Sequence, residues 1–173
     1  MWQLNETFLQ KPPQGLHNFI SITELRIENC SNLISFPEVC LLINLSTLEI
    51  INCSALTSLP KGMNHKNACL GSLKIKVCNS LTGQLPSYMK RLEIESCEKL
   101  ENLWDDNDES CTSMVDEENP NNTNTSLLEY LHVEKCPSFK CLSSSGHLPQ
   151  TLRTLSLHSL PELESITDRK STV

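Results

Sequence analysis

The residues of this chain that could do chemistry fall in three places. The first is acidic. Asp106, Asp108, Ser110 and Glu117 stand at positions 1, 3, 5 and 12 of a calcium-loop spacing. Such a loop needs oxygen ligands at those offsets and a glycine at position 6 to turn sharply round the ion. Cys111 occupies the glycine's place and no helical pattern flanks the run, so calcium is not expected. The second is His132, Cys136, Cys141 and His147, residue types that suit zinc. His132 and Cys136 already have places in a repeat pattern, one facing outward and one inward, and no metal site is expected. The third is Ser143-Ser144-Ser145 beside His147, a nucleophile next to a base. It has neither an elbow glycine pattern nor an assigned acid partner, and it does not read as a hydrolase. The chain has only 5 glycines and lacks both G-x-G-x-x-G and G-x-x-x-x-G-K-[ST]. A phosphate-cradling loop is therefore missing, and no cofactor and no catalytic residue are expected.

What must position these residues is a repeat. Leu25-Arg26-Ile27, Cys30 and Leu33 open a skeleton that returns as Leu48-Glu49-Ile50, Cys53, Leu56 and Leu59-Pro60. It returns again as Leu73-Lys74-Ile75, Cys78, Leu81 and Leu85-Pro86, then as Leu92-Glu93-Ile94, Cys97, Leu100 and Leu103. The fifth copy reads Leu131-His132-Val133, Cys136, Phe139, Leu142, and the sixth Leu155-Ser156-Leu157, Leu160, Leu163, Ile166. Three residues before each first leucine stands another apolar residue: Ile22, Leu45, Leu70, Met89, Leu128 and Leu152. The pattern L-x-x-L-x-[IVL]-x-x-C-x-x-L-x-x-L-P, six times over, is a leucine-rich-repeat signature.

The spacing has a direct physical meaning. Leu-x-Ile sets two apolar side chains on one face of an extended segment, because strand side chains alternate. Three residues after the isoleucine the chain turns inward, where a compact hydrophobe with a weak S–H donor fits. The later leucines close the far side, and Pro37, Pro60 and Pro86 stiffen the turn behind them. One such coil cannot bury its apolar set alone, whereas stacked coils can. The expected fold is an α/β-type leucine-rich-repeat solenoid of about six coils. Short parallel strands should line its concave face, with an irregular convex side, some 3₁₀ turns and little α-helix.

The outward strand positions then carry the surface chemistry. One column holds Arg26, Glu49, Lys74, Glu93, His132 and Ser156; the next holds Glu28, Ile51, Lys76, Glu95, Glu134 and His158. With strands about 4.8 Å apart, Arg26, Glu49, Lys74 and Glu93 alternate in sign. At the least this is a cross-strand charge ladder, each exposed pair contributing about 0–1 kcal/mol. It also suits a mixed-charge surface for another protein, the chief use of curved solenoids. The expected protein-binding residues are Arg26, Glu28, Glu49, Lys74, Lys76, Glu93, Glu95, His132, Glu134 and His158. Reversing the charge of Lys74 and Lys76 is expected to weaken partner binding and leave melting almost unchanged.

Composition narrows the partners. A net charge of −7 and a pI near 5.2 argue against nucleic acid and anionic membranes. No apolar run approaches the roughly 18 residues of a membrane span, and Met1 to Glu6 has no signal-peptide character. The sequon Asn121-Asn122-Thr123 would matter only in a secreted protein. Nine cysteines, five of them in one repeat slot and the total odd, fit reduced thiols in the cytosol better than disulfides. First leucines at 25, 48, 73, 92, 131 and 155 lie 23, 25, 19, 39 and 24 residues apart. The long interval is polar and acidic. The expected organisation is an incomplete preceding repeat over 1–19, repeats one to four over 20–104 and a mobile acidic insertion over 105–126. Repeats five and six follow over 127–167, with a polar tail over 168–173; both ends read as cuts through a longer array.

The repeat form, carried by phrases such as Leu48-Glu49-Ile50-Ile51-Asn52-Cys53-Ser54-Ala55-Leu56-Thr57-Ser58-Leu59-Pro60, resembles the C-terminal leucine-rich-repeat region of plant nucleotide-binding disease-resistance proteins of the coiled-coil class. The likeness covers about residues 20–167; Leu160 in the last cysteine slot, the short fourth period and the acidic insertion depart from it. It implies a non-catalytic, cytoplasmic or nuclear module of an immune receptor. Its partners would be a pathogen effector, a host protein under guard, or the receptor's own nucleotide-binding domain, and not nucleic acid, membrane or a small molecule. A second class is the F-box type of leucine-rich-repeat substrate adaptor for a ubiquitin ligase. Its repeats usually continue into a helical segment with a Thr-Asp-x-Gly-like turn, where these continue into x-x-Leu-Pro. A stand-alone leucine-rich-repeat scaffold is the remaining alternative.

Overall fold

A computed structural model describes residues 2–4, 22–35, 44–59, 70–82, 85–86, 88–104, 127–142, 148–164 and 166. Seven strands make one parallel sheet: β1 (Trp2–Leu4), β2 (Glu24–Glu28), β3 (Thr47–Ile51), β4 (Ser72–Lys76), β5 (Arg91–Glu95), β6 (Tyr130–Glu134) and β7 (Thr154–His158). They lie in chain order, each beside the next. No helix occurs among the described residues, and none there is long and apolar enough to cross a membrane. Among the described residues short hydrogen-bonded turns follow the strands, and most of the stretches where 3₁₀ turns were expected lie outside those residues.

The register follows the repeat. Leu25, Leu48, Leu73, Leu92, Leu131 and Leu155 are consecutive partners, and so are Ile27, Ile50, Ile75, Ile94, Val133 and Leu157. A slip of one residue would turn every apolar side chain to the wrong face, so alternation and burial together fix this pairing. From β2 to β6 the inward pair is buried throughout, and the second-layer residues Leu33, Leu56, Leu81, Leu100 and Phe139 are buried with it.

Each strand from β2 on ends in the same turn. Asn29, Asn52, Val77, Ser96, Lys135 and Ser159 have φ between 54° and 58°, the left-handed region. Five of them donate their N–H to the last residue of the next strand, as in Asn29 N–H to Ile51 O at 3.0 Å and Val77 N–H to Glu95 O at 2.9 Å. This kink drives the following cysteine inward. Its thiol donates to the carbonyl two residues back: Cys30 to Glu28, Cys53 to Ile51, Cys78 to Lys76, Cys97 to Glu95 and Cys136 to Glu134, at 3.4–3.7 Å. The cysteine carbonyl then accepts from the leucine three residues on, as in Leu33 N–H to Cys30 O at 3.1 Å. Away from the sheet a second set of backbone bonds joins successive copies. Thr57 N–H reaches Ile34 O at 3.0 Å, Thr82 N–H reaches Thr57 O at 3.1 Å and Glu164 N–H reaches Lys140 O at 3.0 Å.

β7 differs. Leu155 is 36% exposed and Leu157, Leu160 and Leu163 are only partly buried, because no described strand lies beyond it. β1 lies inside the stretch expected to be an incomplete repeat, pairing Trp2 with Leu25 and Leu4 with Ile27. The insertion at 105–126, with Asp106, Asp108, Ser110 and Glu117, lies outside the described residues. So do Lys11 to Leu16, Pro37, Pro60, His147, the serines at 143–145 and the tail at 168–173.

Candidate functional site

The outward face of the sheet collects all ten residues expected to bind a partner, on strands β2 to β7. Alternation puts them there: each flanks or separates the two inward residues of its strand, giving the buried–half-buried rhythm of β3, β4 and β6. In-register pairing then makes them neighbours. Arg26 reaches Glu49 at 2.8 Å and Glu28 at 3.1 Å, and Gln3 of β1 donates to Glu28 at 3.4 Å. Lys74 pairs with Glu93 at 3.2 Å and Lys76 with Glu95. The sign alternation of Arg26, Glu49, Lys74 and Glu93 thus closes as two cross-strand pairs.

At the β6–β7 end the chemistry changes. His132 Nδ1 lies 2.9 Å from Ser156 Oγ, and its Nε2 lies 3.5 Å from Glu134. His158 stands beside it, ring centroids 6.0 Å apart. Lys135 pairs with Glu134 at 2.8 Å and reaches Glu95 at 3.8 Å, tying this cluster to the lysine–glutamate pairs.

These contacts set the charges. Burial works against ionisation of Glu93, but hydrogen bonds from Arg91 and Lys74 outweigh it and hold its pKa below the ordinary value. The hydrogen bond from Lys76 lowers Glu95, and that from Lys135 lowers Glu134. The same bonds raise Arg26, chiefly through Glu28, and Lys135, chiefly through Glu134. At neutral pH Glu93, Glu95 and Glu134 are therefore ionised, each neutralised by a neighbouring cation. The face presents fixed, half-exposed donors and acceptors in rows.

Three contributors were not foreseen. Arg91 donates to Glu93 at 2.6 Å and its guanidinium stacks over Tyr130, 3.7 Å from the ring centroid. Lys135 is the third. Arg91 and Tyr130 belong to an outward column one position before the first leucine, which the same alternation marks. Lys135 sits at the left-handed turn, a position the alternation does not cover.

The paired state of Lys74 and Lys76 corrects one expectation. Reversing them alone would set carboxylate against carboxylate and disturb the sheet, so melting would not stay unchanged. Of the zinc-type residues, His132 points outward into its Glu134 and Ser156 contacts, while Cys136 is buried. Among the described residues no group of three or more His, Cys, Asp or Glu is placed to hold a metal ion. No protein-family model, no curated protein and no solved structure matches the chain.

Proposed function

We propose that the chain is a non-catalytic recognition module: a leucine-rich-repeat solenoid whose coils each contribute one strand and whose sheet forms a concave, protein-binding face. The observation that carries the reading is the in-register array of outward residues from Arg26 to His158. Such an array is rigid before binding, so little ordering entropy is lost when a partner docks. The backbone bonds away from the sheet, joining copy to copy, support stacking of complete coils.

The repeat form supports placing this module in an intracellular plant immune receptor. There it would sense an effector or a modified host protein, or hold the nucleotide-binding domain inactive. Its own chemistry would be that of charge matching, with a partner bearing alternating acidic and basic residues at strand spacing. An immunoblot of plant tissue with an antibody against residues 105–126 tests the receptor assignment. A band several times heavier than 19.5 kDa is expected. A single band at that mass would overturn the receptor assignment and leave a stand-alone recognition protein.

A further inference from the structure

The charge alternation of the outward face is not symmetric along the sheet. On β2 and β3 one cation is divided between two carboxylates: the Arg26 guanidinium bonds Glu28 at 3.1 Å and Glu49 at 2.8 Å. From β4 to β6 the ratio is reversed. Glu93 takes Arg91 on one oxygen at 2.6 Å and Lys74 on the other at 3.2 Å. Glu95 takes Lys76 on one oxygen and Lys135 on the other, the latter at 3.8 Å. Both oxygens of each carboxylate are thus engaged, whereas an ammonium carries three N–H donors and a guanidinium five. The side chains of Lys74, Lys76, Arg91 and Lys135 are 33–56% exposed, and those of Glu93, Glu95 and Glu134 only 19–28%. The carboxylates are the better covered partners, so this part of the face offers an approaching molecule mainly donors and positive charge.

Arg91 is the most closely held of these cations. Its Nε and Nη2 both donate to Glu93 Oε1, at 2.9 and 2.6 Å, and its guanidinium carbon lies 3.7 Å from the Tyr130 ring centroid. Contacts on two sides fix it before anything binds, so little entropy is lost when a partner meets it. Arginine and tyrosine are also the side chains that most often carry interface energy. Charge complementarity then defines the occupant, a protein segment bearing several carboxylates. Resting on the recognition reading above, we propose that the β4–β6 part of the face docks an acidic segment of a protein partner. Arg91, seated on Tyr130, is its anchor, with Lys74, Lys76 and Lys135 around it. The Arg26 end, where carboxylates are in surplus, does not take that segment.

The test is a heteronuclear NMR titration of the 173-residue chain with hexaglutamate, at low ionic strength where such contacts are least screened. Saturable amide shifts should fall on β4 to β6 and spare β2. Arg91→Ala should weaken binding about fivefold or more. Tyr130→Ala keeps every charge but releases the guanidinium from its ring, and should weaken binding about two- to fivefold. Tyr130→Phe keeps the ring and should bind as wild type does. Arg91→Lys, which keeps the charge without the planar stack, replaces Tyr130→Ala if circular dichroism shows the latter unfolded, with weakening again expected. Lys99→Ala removes an exposed cation on the turn after β5 and should change nothing. Absence of saturable shifts would overturn the proposal. Equal weakening by Lys99→Ala and Arg91→Ala, the mark of unspecific attraction, would do so too. Tighter binding of hexauridylate on the same strands would overturn it in favour of nucleic acid. A face that binds hexalysine and not hexaglutamate would overturn the acidic partner while leaving recognition through the face standing.

Discussion

Val77 is the residue most at odds with its backbone. At φ 55° a β-branched side chain crowds the following carbonyl, at a cost of about 1–2 kcal/mol. Asparagine tolerates that region, and at the equivalent turns Asn52 also donates its side-chain N–H to Asn29 at 2.8 Å. Val77→Asn should therefore raise stability by about 1 kcal/mol, seen as a higher urea midpoint; an unchanged or lower midpoint would refute the strain. The buried thiols make a second residue-scale prediction. Burial pushes Cys53 up to about 12 and Cys78 up to about 11 from a starting value of 9.0. Above pH 9 the unfolded chain releases these protons while the folded chain keeps them. Stability should therefore fall as pH rises from 9 towards 11–12. On the acid side the lowered carboxyls of Glu93, Glu95 and Glu134 act in the opposite sense. Their contribution is present at neutral pH and is lost as pH falls below the ordinary carboxylate range and through their lower folded values. Urea midpoints measured from pH 3 to 10.5 should thus describe a dome, and a flat profile would contradict both assignments.

Among the elements, burial distinguishes the interior strands from β7. Ile75 and Leu81 are fully buried between neighbouring copies, so Ile75→Ala should cost about 2–5 kcal/mol. Leu155→Ala removes a side chain already 36% exposed and should cost clearly less, which paired urea titrations would show. Equal costs would mean that β7 is covered. Strands β2 to β7 were legible because Leu-x-Ile alternation and a recurring cysteine act together, and each copy reinforces the reading of the next. β1 was not. Trp2-x-Leu4 has the alternation, but Thr7 and Gln10 fall where the cysteine and second leucine should be. The left-handed turn was equally silent, because Asn, Val, Ser and Lys all occupy it and no residue type announces it. Leu160 in the cysteine slot has a structural reason visible only in three dimensions: that slot in the sixth copy is only partly buried, so its size is not restricted as it is for Cys78.

For the whole molecule, the outward face runs across every joint of the sheet from β2 to β7. The ten candidate residues and the Arg26–Glu49–Lys74–Glu93 ladder could be named from alternation alone, but the neutralisation of Glu95 by Lys76 and Lys135 could not. It depends on which side chains become neighbours once repeats of unequal length, 25 and then 19 residues, are brought into one register. The same pairing supplies a clean test of recognition. Exchanging partners, Lys74→Glu with Glu93→Lys and Lys76→Glu with Glu95→Lys, keeps both cross-strand pairs and inverts the pattern that a partner would read, while Arg91 and Lys135 lose their contacts to Glu93 and Glu95. The decisive measurement is the affinity of wild type and this four-site variant for a purified partner protein, with melting temperatures taken alongside. A variant that remains folded, with a melting temperature lower by a few degrees at most and an affinity lower by about tenfold or more, is the expected result. Equal affinity of the folded variant would contradict recognition through this face.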